Sequence, residues 1–350
     1  MVENPFYGQA IHGPYQVANI GDLVLDCGIT LRGCELAYAT FGTLSPAKDN
    51  AILVTTWFSG TSKIMEQAYI GPGRALDPAK YFIIVVNQIG NGLSTSPHTA
   101  AAPFDGPNFP RVRIADDVIA QQRLLADKFG ISELQLVTGA SMGAEQTYEW
   151  AVRFPAMVKR AAPIAGTART TAHTALFAQT LMDAITSDPG YQGGWYGSAG
   201  QTRAGLRAHS RLWAVMGASA AMYAKELWRG LGFASPEDFV AGLLDASFLP
   251  HDANALLTQA WKWQNADVSR PHGGDLAAAL GRVTAKTFVM PVSTDMFFTV
   301  PDCAAEAAMM PNAELRVLDT DWGHIGVMGM DPHYLGQVDA HLKELLASNR

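Results

Sequence analysis

Short runs of consecutive apolar and β-branched residues recur along the chain, separated by longer stretches in which apolar positions keep a helical spacing. AILVTT (51–56), YFIIVVN (81–87), LQLVTG (134–139) and KTFVMPV (286–292) are continuous rather than alternating, as strands buried on both faces are. The pattern predicts strands near Leu23–Thr30, Glu35–Gly42, Ala51–Trp57, Tyr81–Asn87, Leu134–Gly139, Arg160–Ala165, Lys286–Ser293 and Glu314–Leu318. Helices are expected over Asp116–Phe129, Ser141–Phe154, Pro301–Met309 and Pro332–Ser348, with Gly130 placed as a C-cap glycine. Strands alternating with helices in this way give an α/β class, a mostly parallel central sheet flanked by helices.

From about Thr170 to Arg282 the rhythm changes. No convincing strand run appears, and helices are expected at Ala204–Met216, Ala218–Gly230, Pro236–Leu244 and Ala253–Asn265. The expected organisation is therefore a core built from 1–169 and 283–350, with a helical cap or lid, 170–282, inserted between its two parts. The cap holds Trp195, Trp213, Trp228, Trp261 and Trp263 of the chain's eight tryptophans, which suits either docking on the sheet or lining a pocket.

Composition narrows the function classes. Of 350 residues, 48% are hydrophobic and 16% charged, which excludes a disordered chain. A net charge of −7 argues against a nucleic-acid partner. Cys27, Cys34 and Cys303 are odd in number and form no CxxC pair, so neither a disulfide framework nor a cysteine zinc site is expected. The first residues lack a basic start followed by an apolar run, and the uncharged stretch 212–224 falls short of the roughly 18–20 residues a membrane span needs. A cytoplasmic protein with no membrane partner is expected.

The chemistry concentrates at Gly139-Ala140-Ser141-Met142-Gly143. A G-x-S-x-G pattern is weak alone, but here it follows a strand and opens a helix, the setting of a nucleophile elbow. The glycines leave room for a sharp turn, and the helix N-terminus favours negative charge beside the serine. The competing reading of Ser141 is a helix N-cap beside a tight turn. A serine nucleophile needs a base and a carboxylate that orients it, and in this strand–turn–helix setting they follow in the order serine, acid, histidine. His324 lies on a loop after the Glu314–Leu318 strand, whereas His333 and His341 fall in the last helix, and His98, His251 and His272 lie in loops that could approach the pocket and are weaker candidates. For the acid, Asp295 closes TFVMPVSTD at a strand's C-terminal end, with Asp302, Asp319 and Asp321 as competitors. The backbone N–H groups of Met142 and of Phe58, with Trp57 second, are the candidate oxyanion donors. Trp57 and Asp252 are candidate pocket residues, although Asp252 also suits the N-cap of the helix from Ala253. Cys303 is read as a packing residue. No cofactor and no metal are expected: HExxH, GxGxxG after a strand and GxxxxGK[ST] are all absent.

These segments resemble the homoserine O-acetyltransferase family of the α/β-hydrolase fold. LAYATFGTLSPAKDNAILV, IGPGRALDPAKYFIIVVNQIGNG, FPRVRIADDVIAQQRLL and GASMGAEQTYEWAVRFP run in the family's order, and STD and WGH match its remaining site segments. The resemblance covers roughly 35–168 and 284–348. It implies an α/β-hydrolase fold, a triad of Ser141, Asp295 and His324, and a homodimer. The chain departs from the family at Thr56-Trp57, where the family has histidine and alanine, at Ser94-Thr95-Ser96-Pro97, and in LPHDANAL, where Pro250 replaces the arginine of an RFDAN-type motif. Loss of that guanidinium removes a partner for an amino-acid carboxylate. The expected activity is hydrolysis of small carboxylic esters through an acyl-serine; the alternative is an acetyl-coenzyme-A-dependent O-acyltransferase using the same triad, and a third reading is a non-catalytic binding protein on the same fold.

Overall fold

The computed structural model describes residues 4–348. Its main sheet comprises β1 (Gln16–Asn19), β4 (Glu35–Phe41), β5 (Ala51–Thr55), β6 (Phe82–Val86), β7 (Leu136–Ala140), β8 (Arg160–Ile164), β9 (Lys286–Val289) and β10 (Ala313–Leu315). Their spatial order is β1-β4-β6-β5-β7-β8-β9-β10. β1 and β4 run antiparallel at one edge, and β6 through β10 pair in parallel. Every residue of β5, β6, β7 and β8 is buried, which explains why their sequences are continuous apolar runs.

A small hairpin of β2 (Leu23–Val24) and β3 (Thr30–Leu31) replaces the single strand expected over Leu23–Thr30. Gly28 turns at φ 84°, and Leu25 N–H reaches back to the Ile29 carbonyl. A left-handed turn inside an apolar run splits it. The apolar pattern did not predict β1.

Helices α1 (Gln9–His12), α2 (Ser62–Tyr69), α3 (Ile114–Leu124), α4 (Met142–Arg153), α5 (Ala172–Thr186), α6 (Arg203–Met216), α7 (Ala220–Ala224), α8 (Pro236–Phe239), α9 (Ala246–Phe248), α10 (Ala253–Gln264), α11 (Leu276–Leu280), α12 (Val300–Ala307) and α13 (Pro332–Ala347) complete the fold. The helix expected to Phe129 changes to a π-turn after Leu124 and ends on Gly130 at φ 62°, the expected C-cap. The long helix expected over Ala218–Gly230 is broken, because Glu226 takes φ 50° between α7 and a 3₁₀ turn. Between Ala172 and Leu280 the regular elements are all helical among the described residues. None of the described helices is long and apolar enough to cross a membrane.

The helical segment docks through aromatic side chains. Trp213 stacks on Trp263 at 5.9 Å and on Phe248 at 5.7 Å, with Phe58 of the core stacked on Trp213 at 5.6 Å. Trp195 remains exposed and Trp261 lies under the guanidinium groups of Arg111 and Arg113. A buried ion pair crosses the same boundary: Lys262 Nζ of α10 lies 2.5 Å from Asp117 Oδ2 of α3 and also donates to the Ile89 carbonyl at 2.8 Å. Removing one partner of such a pair leaves an uncompensated buried charge.

Candidate active site

The sheet's register brings three chain segments to one end. Thr55 of β5 pairs with Gly139 of β7, so the Thr56–Gly60 loop and Ser141 leave neighbouring strands side by side. Beyond β9 and β10, Val292 bridges Leu318, which brings the loops carrying Asp295 and His324 together at the same end. Open α/β sheets place their sites outside the carboxyl ends of their strands.

Ser141 has φ 58° and ψ −126° and makes no capping bond to α4. Its side chain therefore does not cap the helix, although the residue stands at the N-cap position. A non-glycine residue in this conformation is strained, and it persists where the surroundings over-determine it. Glycine is required on both sides: a Cβ at Gly139 would lie 2.1 Å from Thr55 Oγ1, and one at Gly143 2.7 Å from the Thr55 carbonyl oxygen. The freed hydroxyl, Ser141 Oγ, sits 2.9 Å from His324 Nε2, and His324 Nδ1 sits 2.6 Å from Asp295 Oδ2. All three side chains are buried.

The competing residues are occupied elsewhere. Asp302 pairs with Thr299 at the start of α12, Asp319 accepts from Ser293, and Asp321 pairs with Lys225. His333 and His341 lie on α13, His272 in a separate 3₁₀ turn, and His98 stacks on Tyr7 at 4.8 Å. Cys303 is buried, its thiol pushed upward by desolvation, with Sγ 3.5 Å from the Gly166 carbonyl. It is a packing residue.

The loop after β5 is clamped by glutamines that the sequence did not single out. Gln88 Nε2 donates to the Thr56 carbonyl at 2.7 Å and Gln146 Nε2 to the same oxygen at 2.8 Å. Gln121 Nε2 donates to Gln146 Oε1, and Gln121 Oε1 accepts from Trp150 Nε1. Ser59 N–H is taken by Gln259 Oε1 at 2.9 Å, so it is not a free donor. Phe58 N–H has no acceptor among the described residues, and Met142 N–H stands at the first turn of α4, where helical N–H groups lack internal partners.

A cavity of about 310 Å³ opens on Ser141 and His324. Trp57 and Phe58 wall it, together with Trp213, Leu244, Phe248, Ile325 and other apolar side chains. Phe6, Ile11 and His12 of the N-terminal segment close part of it, a contribution no motif signalled. Asp252 requires correction: it is absent from this lining and borders a separate cavity of about 300 Å³ with His98 and Tyr196. Its Oδ1 caps α10 through Ala255 N–H at 2.9 Å and its Oδ2 accepts from Tyr196 Oη at 2.6 Å, so both oxygens are committed to structure. Of the loop histidines that could approach the pocket, His251 lines the cavity. Burial pushes His251 down to about 3 and His209, beneath Phe58, down to about 4. Both imidazoles are neutral at pH 7. No group of three or more His, Cys, Asp or Glu side chains among the described residues is placed to hold a metal ion.

Residues 67–329 match the family described as the alpha/beta hydrolase fold. The chain belongs to this family. It is 55% identical to an ethyl acetate hydrolase of Pseudomonas veronii, over 99% of each chain. The structure superposes with a TM-score of 0.98 on an acetylester hydrolase from Corynebacterium glutamicum, 55% identical over 99% of this chain and 100% of that one. At greater distance, a homoserine O-acetyltransferase of Thermobifida fusca is 33% identical over 93% of this chain and 91% of its own. The α/β-hydrolase fold expected from the sequence is thus borne out, as is the likeness to homoserine O-acetyltransferases.

Proposed function

We propose that this α/β-hydrolase is an esterase that cleaves small acetate esters through an acetyl-serine. The observation that carries the reading is the cavity: its lining is largely apolar, and no arginine lines it among the described residues. Its one lysine, Lys63, is engaged by Glu66 at 2.9 Å. An amino-acid acceptor would have to leave its carboxylate without a guanidinium there. The names of the 55%-identical relatives support the same reading.

In this mechanism His324 Nε2 accepts the Ser141 proton as Oγ attacks the acetyl carbonyl carbon. The electron pair displaced from the C=O bond resides on the oxyanion, which the N–H groups of Phe58 and Met142 receive. Asp295 keeps the His324 proton on Nδ1 and stabilises the imidazolium. Collapse of the tetrahedral adduct breaks the bond to the alkoxy oxygen, which takes the proton from Nε2 and leaves as the alcohol. Water then repeats the sequence, with His324 again as base, and acetate departs.

Ethyl acetate hydrolysis followed by acid release in a pH-stat tests the proposal, with thiol release from acetyl-coenzyme A plus L-homoserine measured in parallel. Steady acid release that Ser141→Ala abolishes, without acceptor-dependent thiol, is the expected result. Thiol appearing only with homoserine would instead establish a transferase.

A further inference from the structure

His251 lines the cavity beside the triad yet takes no part in the chemistry described above. Its residue is 3% exposed, and its Nδ1 lies 3.1 Å from Tyr7 Oη. The same Tyr7 oxygen accepts the Asp252 N–H at 2.9 Å. Tyr7 is buried within the fold and a phenol carries a single proton. The backbone N–H already supplies one donor to that oxygen, so the phenolic proton has His251 Nδ1 as its acceptor. Were Nδ1 itself protonated, the buried Tyr7 hydroxyl hydrogen would have no partner. The chain Asp252 N–H to Tyr7 Oη–H to His251 Nδ1 therefore fixes one tautomer, with the ring proton on Nε2.

That Nε2–H has no acceptor among the described residues. It also differs from His12 Nε2, which is sealed from solvent without a partner. An uncharged donor is thus held in the wall of a largely apolar cavity. Phe6 packs against the His251 ring at 4.8 Å and restricts its rotation.

From this geometry we infer that His251 is a specificity-determining residue, whose Nε2–H donates to an oxygen in the alcohol portion of the ester substrate. The inference rests on the acetate-ester reading. An acetyl group has one oxygen acceptor, its carbonyl, and that oxygen belongs at the Phe58 and Met142 N–H groups. The remaining acceptor must lie on the alcohol side, as an ether, hydroxyl or carbonyl oxygen beyond the scissile bond. A site holding a fixed donor discriminates against analogues that lack the acceptor.

The test compares 2-methoxyethyl acetate with butyl acetate, two esters of equal chain length that differ by an oxygen in place of a methylene. The readout is the ratio of their kcat/KM values, and comparing that ratio between variants cancels the intrinsic difference in leaving group. His251→Phe should lower the ratio about three- to tenfold, the range of one hydrogen bond. His251→Gln, which keeps an N–H donor, should restore part of the ratio. An unchanged ratio in His251→Phe, with butyl acetate still cleaved, overturns the inference and leaves the esterase reading intact. Failure of the wild type to cleave either ester overturns both. Where His251→Phe does not fold, ¹⁵N NMR of histidine-labelled wild type decides: protonated Nε2 whose resonance shifts with 2-methoxyethanol but not with butanol supports the inference. Protonation at Nδ1, or equal shifts with both alcohols, refutes it.

Discussion

Asp295 holds His324 with one oxygen and its own loop with the other. Oδ2 lies 2.6 Å from His324 Nδ1, while Oδ1 accepts the N–H groups of Phe297 at 3.0 Å and Phe298 at 3.1 Å. The carboxylate is thereby oriented by backbone donors, and the imidazole inherits that orientation.

Asp295→Asn follows directly from this arrangement. The two backbone N–H groups demand an acceptor, so the asparagine carbonyl must face them and its NH₂ must face His324. Nδ1 then becomes the acceptor, the ring proton moves to Nε2, and the base can no longer take the Ser141 proton. We expect kcat for ethyl acetate to fall by about 10⁴, with the thermal midpoint shifted by only a few degrees. A loss below tenfold would show that the Asp295–His324 bond does not set the tautomer.

The glutamine clamp predicts a different kinetic signature. Gln146 Nε2 and Gln88 Nε2 share the Thr56 carbonyl, which fixes the peptide units that follow and hence the Phe58 N–H. Gln146→Leu leaves the triad and cavity walls in place but loosens this donor. Because the oxyanion forms only in the transition state, kcat should drop about tenfold with KM almost unchanged. A change confined to KM would assign Gln146 to substrate binding instead.

Acid stability offers a check on the buried histidines. His209 donates from Nδ1 to the Leu181 carbonyl and accepts from Trp213 Nε1, and burial holds it down to about 4. An unfolded histidine titrates near 6.5. Between these values the unfolded state binds more protons, so this contribution is complete above about pH 6.5 and is lost as pH falls toward 4. His209→Phe removes the group that titrates. The stability gap between wild type and variant should therefore shrink by about 2 kcal/mol from pH 7.5 to pH 5, measured by urea unfolding. A gap independent of pH would mean that His209 titrates in the folded protein as it does in the unfolded chain. Glu306, pushed up to about 8 by burial, acts in the opposite sense, which is why the difference and not the raw slope is diagnostic.

Much of the scaffold was legible in the chain because its cause is local. Strands buried on both faces leave unbroken apolar runs, and the elbow leaves glycines at 139 and 143 where Thr55 crowds the backbone. Asp295 and His324 could be singled out because each lies on the segment that follows a predicted strand. Gln88, Gln146 and Gln259 were not, since a glutamine's value here comes from a carbonyl or N–H that only tertiary packing brings near. The pocket was the least legible part. Asp252 and His251 are adjacent in sequence, yet the turn between α9 and α10 sends one into a polar cavity and the other into the site. No periodicity encodes that difference.

Two glycine substitutions separate the elbow from ordinary helix propensity. At Gly143 an added Cβ would stand 2.7 Å from the Thr55 carbonyl oxygen and 3.3 Å from its carbon, both backbone atoms of β5. Neither can rotate away, so α4 must move outward and carry Ser141 off His324 Nε2. Gly143→Ala should cost about 1–3 kcal/mol through overpacking and lose most of the activity. At Gly336, inside α13, an added Cβ meets nothing within 4 Å. Gly336→Ala should therefore stabilise the protein by up to about 1 kcal/mol and leave ethyl acetate turnover unchanged. Thermal unfolding and kcat measured on both variants would separate the two effects. If Gly143→Ala kept wild-type kcat, β5 would have to be yielding instead of α4, and the elbow's rigidity would not be what holds the serine in reach of its base.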